Sequence, residues 1–260
     1  VLHDHDGEAQ VAGQGGDDFT WQAQPDQITI TGSSARGLLF GVYHFLEALG
    51  CRWLAPGALW TRLPQTQSVT LPATLVHEEP AFAGRCLIIG HYAFMIEAGA
   101  WIEWAARNRY NTIFFHTIAN PIGGGAAPLW SWERQREQAL ALLREREMTI
   151  EIGGHGLPDL LPRTSFKSMP TAFREEAGKR TKRHNFCPSS PDAQLVIQQN
   201  ARRYFQANPG FAVYHLWADD IPGGGWCTCA ACAGLSSAEQ LLLATNQVAA
   251  VLAQVAPTAE

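Results

Sequence analysis

Two groups of residues have the types and the spacing to do chemistry. One is Asp219-Asp220, a pair of carboxylates at the end of the apolar, aromatic-rich run Phe211-Ala212-Val213-Tyr214-His215-Leu216-Trp217-Ala218. The other is Cys227, Cys229 and Cys232, three thiols crowded into the loop that follows Gly223-Gly224-Gly225-Trp226. Paired carboxylates suit glycoside hydrolysis. One acid protonates the leaving oxygen while a second group stabilises an oxocarbenium-like centre, and crowding keeps one partner protonated near neutrality. The thiols suit a tetrahedral zinc with Cys187 as fourth ligand, but disulfides or free buried thiols fit the spacing as well. A site of four thiolates would be structural, because it leaves no open position for a substrate. Cys51 and Cys86 read as core residues.

These groups must be positioned by strands. The run 211–218 lies between Pro209-Gly210 and Pro222-Gly223 and reads as a buried strand. In parallel α/β folds, ligands bind just past the carboxyl ends of the strands. Neighbouring strand residues point to opposite faces, so both acids reach one pocket only if the backbone bends, which the glycine loop permits. Other strand ends carry polar groups as well. Arg85 opens Arg85–Ile89, His116 ends Asn111–His116 with Asn120 close behind, and His155 follows Met148–Ile152. In a barrel these residues converge with Asp219 and Asp220 on one mouth. There Trp217 and Trp226 offer ring faces to a sugar.

The order of elements gives the fold class. Residues 1–20 read as an irregular acidic lead-in, 27–31 as a strand, 36–49 as a helix closed by Gly50, and 68–71 as another strand. Together, 1–78 form a small α/β accessory domain with no catalytic pattern. Beyond Glu78-Glu79-Pro80, residues 79–260 alternate strand and helix. The helices fall at 101–107, at 132–147 with Ser131 as N-cap, at 190–205 opened by Ser190-Pro191, and at 236–255 opened by the capping box of Ser236 and Glu239. Four strand–helix units are the first half of a (β/α)8 barrel. Too few residues follow Asp220 for four more, so a truncated TIM-type barrel is the expectation.

Composition narrows the function. With 260 residues and 46% hydrophobic content the chain can bury a substantial core. Its net charge of −5 and lack of a long Lys/Arg stripe exclude nucleic acid as the main partner. The basic run Lys179-Arg180-Thr181-Lys182-Arg183-His184 reads as a solvated loop, with steering of an acidic or sulfated substrate as the alternative. No apolar run is long enough to predict a membrane span, and no signal peptide is visible.

Some of these segments resemble known families. Ala35-Arg36-Gly37-Leu38-Leu39-Phe40-Gly41-Val42-Tyr43, followed by Leu49-Gly50-Cys51-Arg52-Trp53, resembles the accessory domain that precedes the barrels of family 20 β-hexosaminidases and of α-glucuronidases. Asn185-Phe186-Cys187-Pro188-Ser189-Ser190-Pro191 and Gly225-Trp226-Cys227-Thr228-Cys229-Ala230-Ala231-Cys232 resemble the DUF4838 family, which is related to family 20 and includes the family 163 endo-β-N-acetylglucosaminidases. The resemblance implies retaining, substrate-assisted hydrolysis of N-acetylhexosamine-containing glycans in a secreted or periplasmic setting, with no cofactor needed for catalysis. By position, Asp219 would orient the substrate N-acetyl group and Asp220 would be the general acid. Arg85 resembles a sugar-binding arginine, and His155 a histidine after the third strand. The sequence departs from family 20 at Asp220, where the family has the longer Glu. A non-catalytic glycan-binding or scaffold module and a uronic-acid glycosidase are the alternatives.

Overall fold

A computed structural model describes residues 16–66, 68–71, 75–118 and 127–260. Strands β1 (Phe19–Ala23) and β2 (Ile28–Gly32) pair antiparallel, with Phe19 opposite Gly32 and Ala23 opposite Ile28. Helix α1 (Ala35–Ala48) follows. Ser34 caps it by accepting the Gly37 N–H at 2.9 Å, and Gly50, at φ 102°, closes it. The short strands β3 (Arg52–Trp53) and β4 (Thr61–Arg62) pair with each other, and β5 (Val76–Glu78) joins β1 to give the order β2-β1-β5. Period-two alternation along β1 buries Phe19 and Trp21 against Phe40 of α1, with Ile30, Phe45 and Val76 packed around them. Burial of each large aromatic contributes about 2 kcal/mol.

Two sequence expectations need correction here. Of the expected irregular lead-in, 1–15 lie outside the described residues, while β1 already begins at Phe19 and Asp17 just before it is buried. The strand expected at 68–71 is irregular and largely exposed. The third strand of the sheet is β5, where Val76 finds the β1 edge opposite Trp21.

The barrel-type progression begins with β6 (Cys86–Ile89), α2 (Tyr92–Ile96) and α3 (Ala98–Arg107). Then come β7 (Thr112–Ile118), the two-residue β8 (Ala127–Pro128), α4 (Leu129–Glu145) and β9 (Thr149–Gly154). A hairpin of β10 (Glu175–Glu176) and β11 (Lys179–Arg180) leads to α5 (Pro191–Ala207), β12 (Val213–Leu216) and α6 (Ser237–Val255). Helix α5 starts as expected, with Ser190 as N-cap and Pro191 in its first turn, and the Ser236–Glu239 capping box opens α6. Ser131 lies inside the first turn of α4 rather than capping it.

The sheet order is β12-β9-β7-β6, with β8 beside β7, and β12 runs parallel to β9 with Val213 opposite Glu151 and Leu216 opposite Gly154. The four main strands stand in the order in which they occur in the chain. That is the progression of a barrel, not of a doubly wound sheet, whose strand order reverses. The fold is therefore mixed α/β, with a small antiparallel sheet followed by part of a barrel. Beside β12, the Glu260 N–H donates to the Ala212 carbonyl at 2.9 Å and the Glu260 carbonyl accepts from the Tyr214 N–H at 2.7 Å.

The chain forms two compact units. One comprises the segments up to Leu87, Glu97–Ile113 and Gln135–Thr149, and the other comprises Ile88–Ile96, Phe114–Arg134 and Ile150–Glu260. Alternation along β12 in the second unit separates two faces. Tyr214 is buried against Phe205 of α5 and Phe211, ring centroids 5.0 and 5.8 Å away. His215 and Trp217 point the other way, toward Phe114 of β7.

Candidate functional site

The face opposite the helices carries an aromatic and imidazole cluster at the carboxyl ends of β7, β9 and β12. Trp217, 36% exposed, has His116, His155 and His215 around it, with ring centroids 5.1, 5.2 and 5.5 Å away. His116 and His155 lie 5.6 Å apart. The His155 Nδ1–H donates to the Ala218 carbonyl at 2.6 Å, since a carbonyl can only accept. In the neutral ring the other nitrogen, Nε2, is then a base. The His215 Nε2–H donates to Glu151 at 2.7 Å.

Gly153 and Gly154 let the strands approach this closely. Their φ values are 129° and 137°, and a Cβ on Gly154 would stand 2.2 Å from the His116 ring. The His116 Nε2 atom is buried with no hydrogen-bond partner among the described residues. Burial, and then the neighbouring His155, His215 and His91, lower the pKa of His116 and favour its neutral form.

The two acids follow Trp217 after Ala218. The His184 Nδ1–H donates to the Asp219 carboxylate at 2.5 Å, and the Asp219 N–H donates to Asn185 Oδ1 at 3.0 Å. Asn185 is fully buried and also donates to the Gly224 carbonyl, so it locks the acid-bearing turn to the glycine loop. Asp220 is exposed. A half-open pocket of about 200 Å³ lies toward α5, lined by residues that include Leu216, Tyr204, Asn200 and Gly154. It is not the cluster face, because Leu216 points away from His215 and Trp217.

The structure therefore brings His116, His155 and Trp217 together, with Asp219 two residues beyond Trp217. Arg85 makes its contacts within the first unit. Arg85 belongs to the first unit and precedes β6, so it stands at a strand's amino end. It donates to Asp17 at 2.6 Å and to the carbonyls of Arg109 and Phe82 at 2.7 and 2.8 Å. Trp226 is 6% exposed, edge-on to Phe186 at 6.0 Å, and shows no face to a ligand. Asn120 lies outside the described residues. His184, Asn185, His215 and Glu151 were missed by the sequence reading. Strand alternation gave a signal for His215, which shares a face with Trp217.

Cys187, Cys227, Cys229 and Cys232 are all buried and unbonded, and their Sγ atoms lie within 4.8 Å of one another. The disulfide alternative is absent from this arrangement. Hydrogen bonding from Cys187 outweighs burial and, with the Cys229 and Glu175 backbone N–H groups, holds the Cys227 thiol down at about 4. Arg180 also belongs to this group. Its guanidinium donates to the Phe173 carbonyl at 2.8 Å and lies 3.7 Å from the Cys227 sulfur, so the basic run is not wholly solvated.

The family described as "Domain of unknown function (DUF4838)" matches residues 56–259. The chain belongs to the DUF4838 family. No curated protein matches it. Among solved structures, this DUF4838 chain is similar to a chitobiase from Flavobacterium johnsoniae, at 15% identity and TM-score 0.63, over 97% of this chain and 40% of that one. It is also similar to a glycoside hydrolase family 20 β-N-acetylglucosaminidase, at 17% identity and TM-score 0.56, over 94% and 54%. A family 89 glycoside hydrolase from Clostridium perfringens in complex with PUGNAc matches at 13% identity and TM-score 0.58, over 96% and 33%. The chain thus spans about half the length, or less, of these enzymes. At such identities the likeness shows a shared glycosidase-type fold. No helix among the described residues is long and apolar enough to cross a membrane.

Proposed function

We propose that this DUF4838 chain carries the sugar-binding part of a glycoside hydrolase site acting on N-acetylhexosamine-containing glycans. The observation that carries the reading is Trp217, a partly exposed indole ringed by three histidines at the carboxyl ends of the strands, with Asp219 and Asp220 two and three residues further on. Trp217 would stack on the apolar face of a pyranose while His116 and His155 hydrogen-bond its hydroxyls. Asp219, fixed by His184 and Asn185, would orient the N-acetyl group so that its carbonyl oxygen attacks the anomeric carbon. Asp220 would protonate the leaving oxygen. The names of the structural neighbours, a chitobiase and a β-N-acetylglucosaminidase, support this substrate class.

A second reading, a glycan-binding module without turnover, is favoured by the acid itself. Asp220 is one methylene shorter than the glutamate it replaces, and a reach shorter by about 1 Å costs on the order of 100-fold in rate. The uronic-acid reading loses support, because Arg180 of the basic run is turned to the cysteines.

The test is hydrolysis of aryl N-acetyl-β-glucosaminides and of N-glycans by the full chain. Turnover that falls at least about 100-fold in Asp220→Asn, with glycan binding retained, supports the hydrolase. Tight binding of a thiazoline-type inhibitor supports N-acetyl participation. Binding without turnover selects the module, and neither binding nor turnover removes both readings.

A further inference from the structure

We propose that Cys187, Cys227, Cys229 and Cys232 form a closed tetrathiolate zinc site that holds the acid-bearing turn in place. Tetrahedral zinc with Zn–S bonds of about 2.3 Å requires sulfur–sulfur edges of about 3.8 Å. Cys187 lies 3.7 Å from Cys229 and 3.7 Å from Cys232, and all four sulfurs fall within 4.8 Å of one another. Four converging thiols that pack merely as small apolar groups need no common centre. These have one.

The surroundings suit the charge. Zinc with four thiolates carries a net charge of −2, and hydrogen bonds to sulfur offset it. The Glu175 N–H points at the Cys227 sulfur from 3.2 Å, the Arg180 guanidinium lies 3.7 Å from the same atom, and the Ser189 hydroxyl is 3.2 Å from the Cys232 sulfur. The hairpin β10–β11, whose loop is closed by positive-φ residues Ala177 and Gly178, delivers both Glu175 and Arg180. The Gln240 amide of α6 clamps the Cys227 backbone from both sides at 3.1 Å.

The site also has a mechanical role. Cys187 lies two residues from Asn185, which holds the Asp219 N–H and the Gly224 carbonyl. Cys227 lies two residues beyond Gly225. A metal joining the two sulfurs therefore closes a loop around β12 and fixes both ends of the turn that bears Asp219 and Asp220. This inference does not depend on whether the cluster face turns over glycans.

Metal analysis of the purified full chain tests it. One equivalent of zinc per chain is expected. It should persist in Cys51→Ser and Cys86→Ser and be lost in Cys187→Ser and Cys229→Ser. Replacement by Co²⁺ should give the sulfur-to-cobalt charge-transfer and d–d bands of a tetrahedral thiolate site. Removal of the ion with a chelator should lower Tm and leave four additional thiols reactive to a colorimetric thiol reagent. If the cysteine variants fail to fold, zinc content and cobalt spectra of the unmodified chain still decide. Metal-free protein with six free thiols, two disulfides among the four cysteines, or iron in place of zinc would each overturn the proposal.

Discussion

Buried Asp17 and half-buried His116, whose Nε2 atom is out of contact with solvent, are treated in opposite ways. Asp17, in the first unit, is surrounded by partners. Arg36 and Arg85 each donate to it at 2.6 Å and Asn111 donates at 2.7 Å. Burial pushes its pKa up, but the hydrogen bonds from Arg36, Arg85 and Asn111 together outweigh burial and hold the carboxyl below the usual carboxylate range. His116, in the second unit, has a ring nitrogen with no described partner, other histidines as neighbours, and a half-exposed indole against it. A saturated network is what a structural polar group needs, whereas an unmet donor or acceptor beside an accessible ring is what a ligand completes. Arg85 falls on the structural side of that division despite its resemblance to a sugar-binding arginine.

The largest effect expected is from Asp17→Ala. It leaves two guanidinium groups without their carboxylate and should cost about 3 kcal/mol in denaturant unfolding, with glycan affinity unchanged. A loss of affinity without a loss of stability would reverse the assignment of the two sites. Next is Gly154→Ala, where a Cβ would meet the His116 ring at a backbone angle that suits only glycine. About 2 kcal/mol of destabilisation, with weakened glycan binding, is expected. Trp217→Ala should weaken glycan binding about tenfold while changing stability by under about 1 kcal/mol, because the ring is only partly buried.

The smallest effect is in pH dependence. The His116 pKa lies below its ordinary 6.5, so the unfolded chain takes up that proton first as pH falls. Its contribution is fully present above about 6.5 and is lost on acidification, with a slope of at most about 1.4 kcal/mol per pH unit. His116→Gln should flatten stability between pH 6.5 and the lower folded-state value. Asp17 acts in the same direction below its ordinary 3.8, and that loss should remain in the His116 variant.

Local patterns were legible in the sequence and distant pairings were not. The caps at Ser190 and Ser236 depend on residues three positions away, and the strand–helix alternation from Arg85 onward depends on periodicity within each element. The thiols were legible as a group because three of them share one loop. The partner of Arg85 was not legible, because Asp17 is 68 residues away in a segment that reads as an acidic tail. Trp217 and Trp226 are equivalent by composition and differ only in burial. His184 gave no signal beyond its place in a basic run, since its contact with Asp219 arises only when β12 returns beside it.

The two hydrogen bonds between Glu260 and the outer side of β12 have a consequence of their own. Bonding to residues 212 and 214 from a single position is the slanted pattern of a parallel neighbour, and it sets residue 260 opposite Val213. That side of β12 therefore receives its neighbour in one direction and one alignment. A strand arriving antiparallel, from another molecule or from misfolded chain, would first have to break both bonds. The two bonds in this way oppose a wrong neighbour on that side of β12.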